Sequence, residues 1–434
     1  MSVLNVASEG DAAQARADYV DRAEALAMLG VKPQTLYSYV SRGLIRRLSH
    51  PDERASFYNR EDVLRMRARS VARSGHGPAA ASAMHWGEPV LTTSITELTV
   101  DGPRYRGHSA IKLAHSNCSF EAVAELLWTG GGLRECATWA TDLATDAVAA
   151  QLGGIVRLSP ELHIRQLLTE VVMVMGLADS RQPSSDAADA DIARAQRLLH
   201  AMAGTFGYIG PAKRFVPIEK GEHVAHGLAR AMGIAPTQTN VRALNAALIL
   251  IADHEFTPAT FAARIAASVG SDLSSCIGAA LQVQFGPGLG LRCDKVEQLL
   301  AASSRQARGP LDDDGMLRSE PVPIGFSHPL YAAGDPRADM MLEFVSEIRR
   351  QDTPEGPDRL ANKRRQHLTL DEALVLFCRS LGMARHVAGG FLALGRAAGW
   401  IAHVFEQRAQ GFLIRPRGKF VANVSSLTPD GAKG

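Results

Sequence analysis

Between about residue 119 and residue 285, apolar side chains recur three and four positions apart with few interruptions. Leu167, Val171, Val174 and Met175 keep that spacing, and so do Leu244, Leu248 and Ile251. A run this long with a helical period cannot lie in a sheet, where successive side chains alternate faces. It commits the chain to helices packed on helices around a shared core. Composition agrees, since aromatic residues make up only 6% and alanine, the strongest helix former, is abundant. Residues 179–188 are polar, contain Pro183 and read as a loop, and Gly286-Pro287-Gly288-Leu289-Gly290 breaks the helical run. The 434 residues suffice for two or three domains.

Ahead of this run the character changes. Residues 1–17 are small and polar and are expected to form a disordered lead. Asp21 is placed to cap a helix over Arg22–Leu29, Gly30-Val31 turns the chain, and Pro33 opens a second helix to about Arg42, stopped by Gly43. Leu36 and Val40 mark its inner face, while Gln34, Thr35, Tyr37, Ser38, Ser41 and Arg42 lie largely outside. A hairpin-like segment from Arg46-Arg47-Leu48-Ser49-His50-Pro51 to Phe57-Tyr58 follows, and Asn59 caps another helix through Asp62, Val63 and Met66. This is helix–turn–helix spacing. Between Lys32 and Arg73, ten Lys and Arg stand against four Asp and Glu, an excess of +6 that suits phosphate contact.

The stretch from Ala25-Leu26-Ala27-Met28-Leu29-Gly30-Val31 through Ser41-Arg42-Gly43-Leu44-Ile45 resembles the winged-helix module of MerR-type regulators. A winged helix–turn–helix domain is therefore expected over residues 18–72, with DNA as its partner and Gln34, Thr35, Tyr37, Ser38, Arg42, Arg46 and Arg47 as its contacts. The same pattern also fits a small helical domain that only packs on its neighbour or mediates assembly.

Small residues over 73–87 read as a linker. The β-branched residues from Glu88 to Thr96 read as a short strand or hairpin, continued by Tyr105–Ile111, and Ser119 and Ala122 open the next helix. Charged residues are 21% and the net charge is +2, so no global polyelectrolyte character is implied. Cys118, Cys136, Cys276, Cys293 and Cys378 form no CxxC pair and read as reduced thiols of a cytoplasmic protein, with no metal site. The apolar run Ala246–Ala252 is far too short to cross a bilayer, and the N-terminus lacks the basic-then-apolar order of a signal peptide.

Function enters through the loop Pro323-Ile-Gly-Phe-Ser-His-Pro-Leu-Tyr-Ala-Ala-Gly-Asp-Pro-Arg337. It holds His328 and Arg337 between Gly and Pro turns. An arginine offers a bidentate fork to a carboxylate, and a histidine donates to a carbonyl oxygen. Asp253-His254-Glu255 lies upstream, Asp371 downstream, and Gly395-Arg396-Ala397-Ala398-Gly399-Trp400-Ile401-Ala402-His403 later. Together, in this order and spacing, these motifs resemble the citrate synthase family over about residues 88–425.

The resemblance implies a mostly α-helical fold, with a large domain over 88–290 plus 391–434 and a small domain over 291–390 that closes on substrate. It implies condensation of oxaloacetate with an acyl-CoA co-substrate, acetyl-CoA or propionyl-CoA, and no bound cofactor. His328 would polarise the ketone, Asp371 would act as the base, and His254, Arg337, Arg396 and Arg415 would hold oxaloacetate. Arg415 would reach across to a neighbouring subunit of a homodimer or higher oligomer. Lys363, Arg364 and Arg365 would face coenzyme A phosphates, although a basic run of this kind is equally a solvated surface.

Two positions depart from the family. The Pro-Asn that usually precedes the base is absent, the segment here reading His367-Leu368-Thr369. The family's Leu-His-Gly-Gly, whose histidine donates to the thioester oxygen, reads Gly288-Leu289-Gly290-Leu291, and no histidine occurs between His254 and His328. Leucine donates no hydrogen bond. Two functions are therefore open: a citrate or 2-methylcitrate synthase with a weak condensation step, or a disabled synthase core that senses a metabolite for a DNA-binding head or serves as partner subunit of an active homologous synthase.

Overall fold

The computed structural model describes residues 19–41, 44–49, 56–60, 62–64, 66–67, 91–134, 137–139, 145–157, 163–179, 188–289, 292–306, 329–331, 334–352 and 368–416. The chain divides after Thr92 into two compact units.

The first unit begins with β1 (Tyr19–Val20), followed by α1 (Arg22–Leu29) and α2 (Pro33–Ser41). Asp21 caps α1 by accepting the Glu24 N–H at 2.8 Å, and Gly30, at φ 62°, closes it in the left-handed conformation that glycine adopts without a Cβ clash. Strands β2 (Arg47–Ser49) and β3 (Ser56–Asn59) pair antiparallel with Leu48 opposite Phe57, in the sheet order β1-β3-β2. Leu36, Tyr58, Val63 and Met66 are among the residues that fill a small separate core. Asn59 caps the following turn as expected, accepting the Asp62 N–H at 3.2 Å.

The second unit opens with a three-stranded antiparallel sheet, β4 (Thr96–Thr99), β5 (Gly102–Tyr105) and β6 (His108–Ser109). Among the described residues the expected strand begins at Thr96, Glu88–Val90 lying outside them, and the extended reading fails at Ala110, where α3 (Ala110–His115) starts. Ser109 accounts for the change, because its side chain accepts the Lys112 N–H and caps a helix there. Helices α4 (Phe120–Thr129), α5 (Thr145–Val156), α6 (Ile164–Asp179), α7 (Ala188–Thr205), α8 (Val224–Met232), α9 (Gln238–Leu250), α10 (Pro258–Ser268) and α11 (Leu273–Gln284) then follow. Ser119 caps α4 through the Ala122 N–H at 3.2 Å. Next come α12 (Arg292–Gln306), α13 (Pro336–Asp352) and α14 (Leu370–Ser380), with α14 packed on both of the others.

The last helix, α15 (Ala388–Gln410), organises this unit. Every residue from Ala388 to Val404 is buried, so it is enclosed on all sides. It packs against α4, α9, α10 and α11, and Trp128 on α4 donates from its indole N–H to the Ala398 carbonyl at 2.9 Å. Gly395 and Gly399 form one stripe facing the end of α9. A Cβ at Gly395 would overlap Ile251, and one at Gly399 would overlap Asp253 and the Ala252 carbonyl. The Gly399 N–H donates to that carbonyl at 3.0 Å. No helix among the described residues is long and apolar enough to cross a membrane. Cys118, Cys276, Cys293 and Cys378 are buried, and Cys136 lies outside the described residues.

Candidate active site

The glycine stripe of α15 sets its backbone against the 251–253 turn and puts Arg396 beside that contact. Arg337 arrives from the first turn of α13, and its guanidinium forks onto Asp335, with Nε to Oδ1 at 3.0 Å and Nη2 to Oδ2 at 2.6 Å. Both arginines are nearly closed off from solvent, Arg337 at 3% and Arg396 at 6% exposure. Burial works against the charge of Arg337, and the Asp335 carboxylate outweighs it and holds the group above its usual value. At Arg396 burial prevails and lowers the group, with Asp253 offsetting part of the loss and the neighbouring Arg337 adding to it. Arginine nonetheless stays protonated.

The result is a dry pair of cations with spare donors. Among the described residues, Nε and Nη1 of Arg396 and Nη1 of Arg337 are buried without a hydrogen-bond partner. Buried donors left unmade cost free energy and are rare in a folded protein. An anion with two carboxylates would satisfy them.

Aromatic groups frame the pair. Tyr331 lies with its ring centroid 6.0 Å from Cζ of Arg337 and 6.2 Å from the ring of His254. His254 sits on the turn between α9 and α10, next to Glu255, whose φ of 57° is unusual for a non-glycine residue. Tyr105 on β5 anchors this turn from below. Its hydroxyl donates to the Ile249 carbonyl at 2.9 Å and accepts the Asp253 N–H at 3.3 Å, and burial raises its pKa.

Asp253 is fully buried. Burial alone would raise its pKa, but His403 and Arg396 outweigh that and lower it. His403 meets Asp253 through Nε2 at 3.4 Å and Arg264 through Nδ1 at 3.3 Å. A guanidinium cannot accept, so Nδ1 is the acceptor and Nε2 carries the proton toward Asp253. Arg264, itself fully buried, donates to Glu406 at 2.5 Å and to Gln407 at 2.9 Å and stacks over Phe256 at 5.0 Å. This network fixes the orientation of α15 behind Arg396.

Asp371 stands in the first turn of α14, which Thr369 and Glu372 close with a capping box. Burial raises the Asp371 pKa, which makes the carboxylate a stronger base. Arg292, with Nη1 at 3.9 Å, and the Cys293 thiol at 3.8 Å offset this in part, and Arg337 also acts on it, so Asp371 and the arginine pair share one field. Leu289 precedes α12 by one turn. Its N–H is bonded to the Gly286 carbonyl at 3.0 Å, and Arg292 Nε to the Gly288 carbonyl at 2.9 Å.

The structure therefore brings together four of the expected residues, His254, Arg337, Arg396 and Asp371. Arg415 is exposed on the segment beyond α15. His328, Lys363, Arg364, Arg365 and Arg42 lie outside the described residues. On the first unit Gln34 and Tyr37 are exposed, Thr35 and Ser38 are half-buried, and Arg22 lies 5.3 Å over the Tyr37 ring. Arg47 is exposed on edge strand β2. Arg46 is joined to Asp62 at 2.8 Å and to Asn59 at 3.0 Å, and its side chain remains exposed.

Sequence reasoning did not pick out Asp253, Asp335, Tyr331, Tyr105, Arg264, His403, Arg292 or Cys293 as parts of the site. Two signals were present. Arg264 is an arginine on an otherwise apolar helix face, and Asp335 stands two residues from Arg337 on one turn.

Comparison with known proteins follows the same outline. A family model described as citrate synthase, C-terminal domain, matches residues 84–417 and leaves residues 1–83 outside it. Citrate synthase 2 of Bacillus subtilis is 27% identical over 77% of this chain and 94% of its own length. The 2-methylcitrate synthase of Shewanella oneidensis is 26% identical over 77% of this chain and 92% of its own. Among solved structures, a ternary complex of Thermoplasma acidophilum citrate synthase with carboxymethyl coenzyme A and oxaloacetate aligns with a TM-score of 0.60 at 21% identity, covering 77% of this chain and 94% of that one. That structural likeness bears on the fold, and the extent of the family match settles the membership: the chain belongs to the citrate synthase family.

Proposed function

We propose that this protein condenses oxaloacetate with an acyl-CoA, acetyl-CoA or propionyl-CoA, to give citrate or 2-methylcitrate, and that the step is slow. The observation that carries the reading is the set of buried, unpartnered guanidinium donors on Arg337 and Arg396. They match a small dicarboxylate, held by charge-assisted bonds in a dry site. His254 borders the same space through Tyr331, and His328 is assigned the ketone by family resemblance alone.

In this reading Asp371 removes a proton from the carbon next to the thioester. The resulting enolate carbon bonds to the ketone carbon of oxaloacetate, whose oxygen takes up a proton. Hydrolysis of the thioester then releases coenzyme A. The weak point is the enolate oxygen. Leu289 has no side-chain donor, and its N–H is already committed within its own turn. The positive group beside Asp371 is Arg292.

Millimolar oxaloacetate should raise the melting temperature by mass action. Arg396→Ala removes one cation of the pair, and each charge-assisted bond contributes about 1.5–3 kcal/mol, so binding should weaken roughly ten- to hundredfold and the shift should vanish. A shift that persists in Arg396→Ala would place the ligand elsewhere.

A second reading concerns the first unit alone. Its two helices followed by an antiparallel strand pair, with Gln34 and Tyr37 exposed on α2 and Arg47 on the edge strand, fit a duplex DNA ligand. Retardation of a genomic fragment library should fall steeply with salt and be weaker for Arg47→Ala. Retardation that ignores salt, or none at low salt, would rule DNA out as its partner.

A further inference from the structure

Outside the site already described, a cavity of about 350 Å3 opens in the second unit where the start of α6, the segment after α7 and the segment before α15 meet. Ile164 and Leu167 give it an apolar wall. Beside Tyr208, its polar lining is His163, Lys213, Arg385 and His386, with no carboxylate among the lining residues.

Two of these four residues are held in an unusual backbone conformation. Lys213 has φ 50° and His386 has φ 62°, and they are two of only four non-glycine residues with positive φ among the described residues. Such conformations cost free energy, persist only where the surroundings enforce them, and cluster at functional sites. Here both place a cationic or ring-nitrogen side chain on the same cavity. Lys213 uses one donor, from Nζ to the Ile209 carbonyl at 3.2 Å. His386 is locked by acids on α12. Its N–H donates to Glu297 at 2.9 Å, and its Nδ1 meets Asp294 at 3.2 Å, which leaves Nε2. These acids offset part of the cavity's positive charge, and Asp294 is shared with Arg165 at 2.5 Å.

Helix α12 therefore touches two places within two turns. Arg292 and Cys293 contact Asp371, and Asp294 and Glu297 hold His386. We propose that this cavity is a regulatory site for a small organic anion, a carboxylate or phosphate on an apolar body, whose binding at Lys213, Arg385 and His386 acts through α12 on Asp371. The binding claim stands without the proposed condensation, whereas the word regulatory rests on it.

The test uses calorimetry on the full chain with two probes, phenyl phosphate and benzoate. At least one should bind, and the one that binds tells phosphate from carboxylate. Lys213 and Arg385 are exposed, so Lys213→Ala/Arg385→Ala should keep its circular dichroism spectrum and lose at least tenfold in affinity. Arg396→Ala should leave probe affinity unchanged. Amide exchange over Cys293–Glu297 should slow with the probe bound. Failure of both probes at millimolar concentration, affinity that survives the double variant, or affinity lost instead in Arg396→Ala would overturn the site. Binding with unchanged exchange over Cys293–Glu297 would overturn its coupling to Asp371.

Discussion

Leu289→His is expected to raise condensation of oxaloacetate with acetyl-CoA or propionyl-CoA by roughly 100- to 1,000-fold, read as thiol release by purified protein. An enolate of a thioester concentrates negative charge on one oxygen, and a placed donor there contributes about 3–4 kcal/mol to the transition state. Leucine contributes none, and its own N–H is turned toward Gly286. In the proposed reading the other parts favour the step, because burial makes Asp371 a better base and the arginine pair offers spare donors to a dianion. Since burial raises Asp371, the base is lost to protonation as pH falls through that raised value. The acid limb of kcat/KM should therefore lie above the ordinary 3.8 and disappear in Asp371→Asn. Wild-type turnover in the ordinary range for such enzymes, on the order of 1–1,000 per second, would show that another donor has replaced the histidine.

Arg264→Ala should be the most damaging single change to the fold of the second unit, costing about 3–5 kcal/mol. The guanidinium is wholly buried and meets Glu406, Gln407, Gln410 and His403. Removing it strands the Glu406 carboxylate, which is itself only 10% exposed. Urea unfolding of the variant should show the loss. Glu406→Gln in the Arg264→Ala background should recover part of it, because the amide carries no charge and its oxygen still accepts from Ser94. A loss under 1 kcal/mol would mean that water reaches the pair.

The helical architecture was legible because 3.6-residue periodicity is a local property. The caps at Asp21, Ser119 and Asn59, and the breaks at Gly30 and after Phe285, were legible for the same reason. The start of the second unit's sheet was not, because β-branched residues before Thr96 advertise extended backbone without naming a pairing partner. At the site, His254, Arg337, Arg396 and Asp371 could be named from separate motifs. What joins them could not, since the Asp253–His403–Arg264 chain links residues 139 and 150 positions apart. Arg46 was legible as a basic residue in a basic stretch, whereas its bonds to Asp62 and Asn59, 16 and 13 positions away, were not.

The glycine stripe on α15 has a practical consequence for engineering. Arg396 is located in part by main chain resting on main chain, with Gly399 against Ala252. Interior positions away from this seam and from the Asp253–His403–Arg264 network can then be redesigned for heat resistance without shifting Arg396, provided that Gly395 and Gly399 are kept. A library that randomises those two glycines should instead yield almost no ligand-binding clones, whatever their melting temperatures.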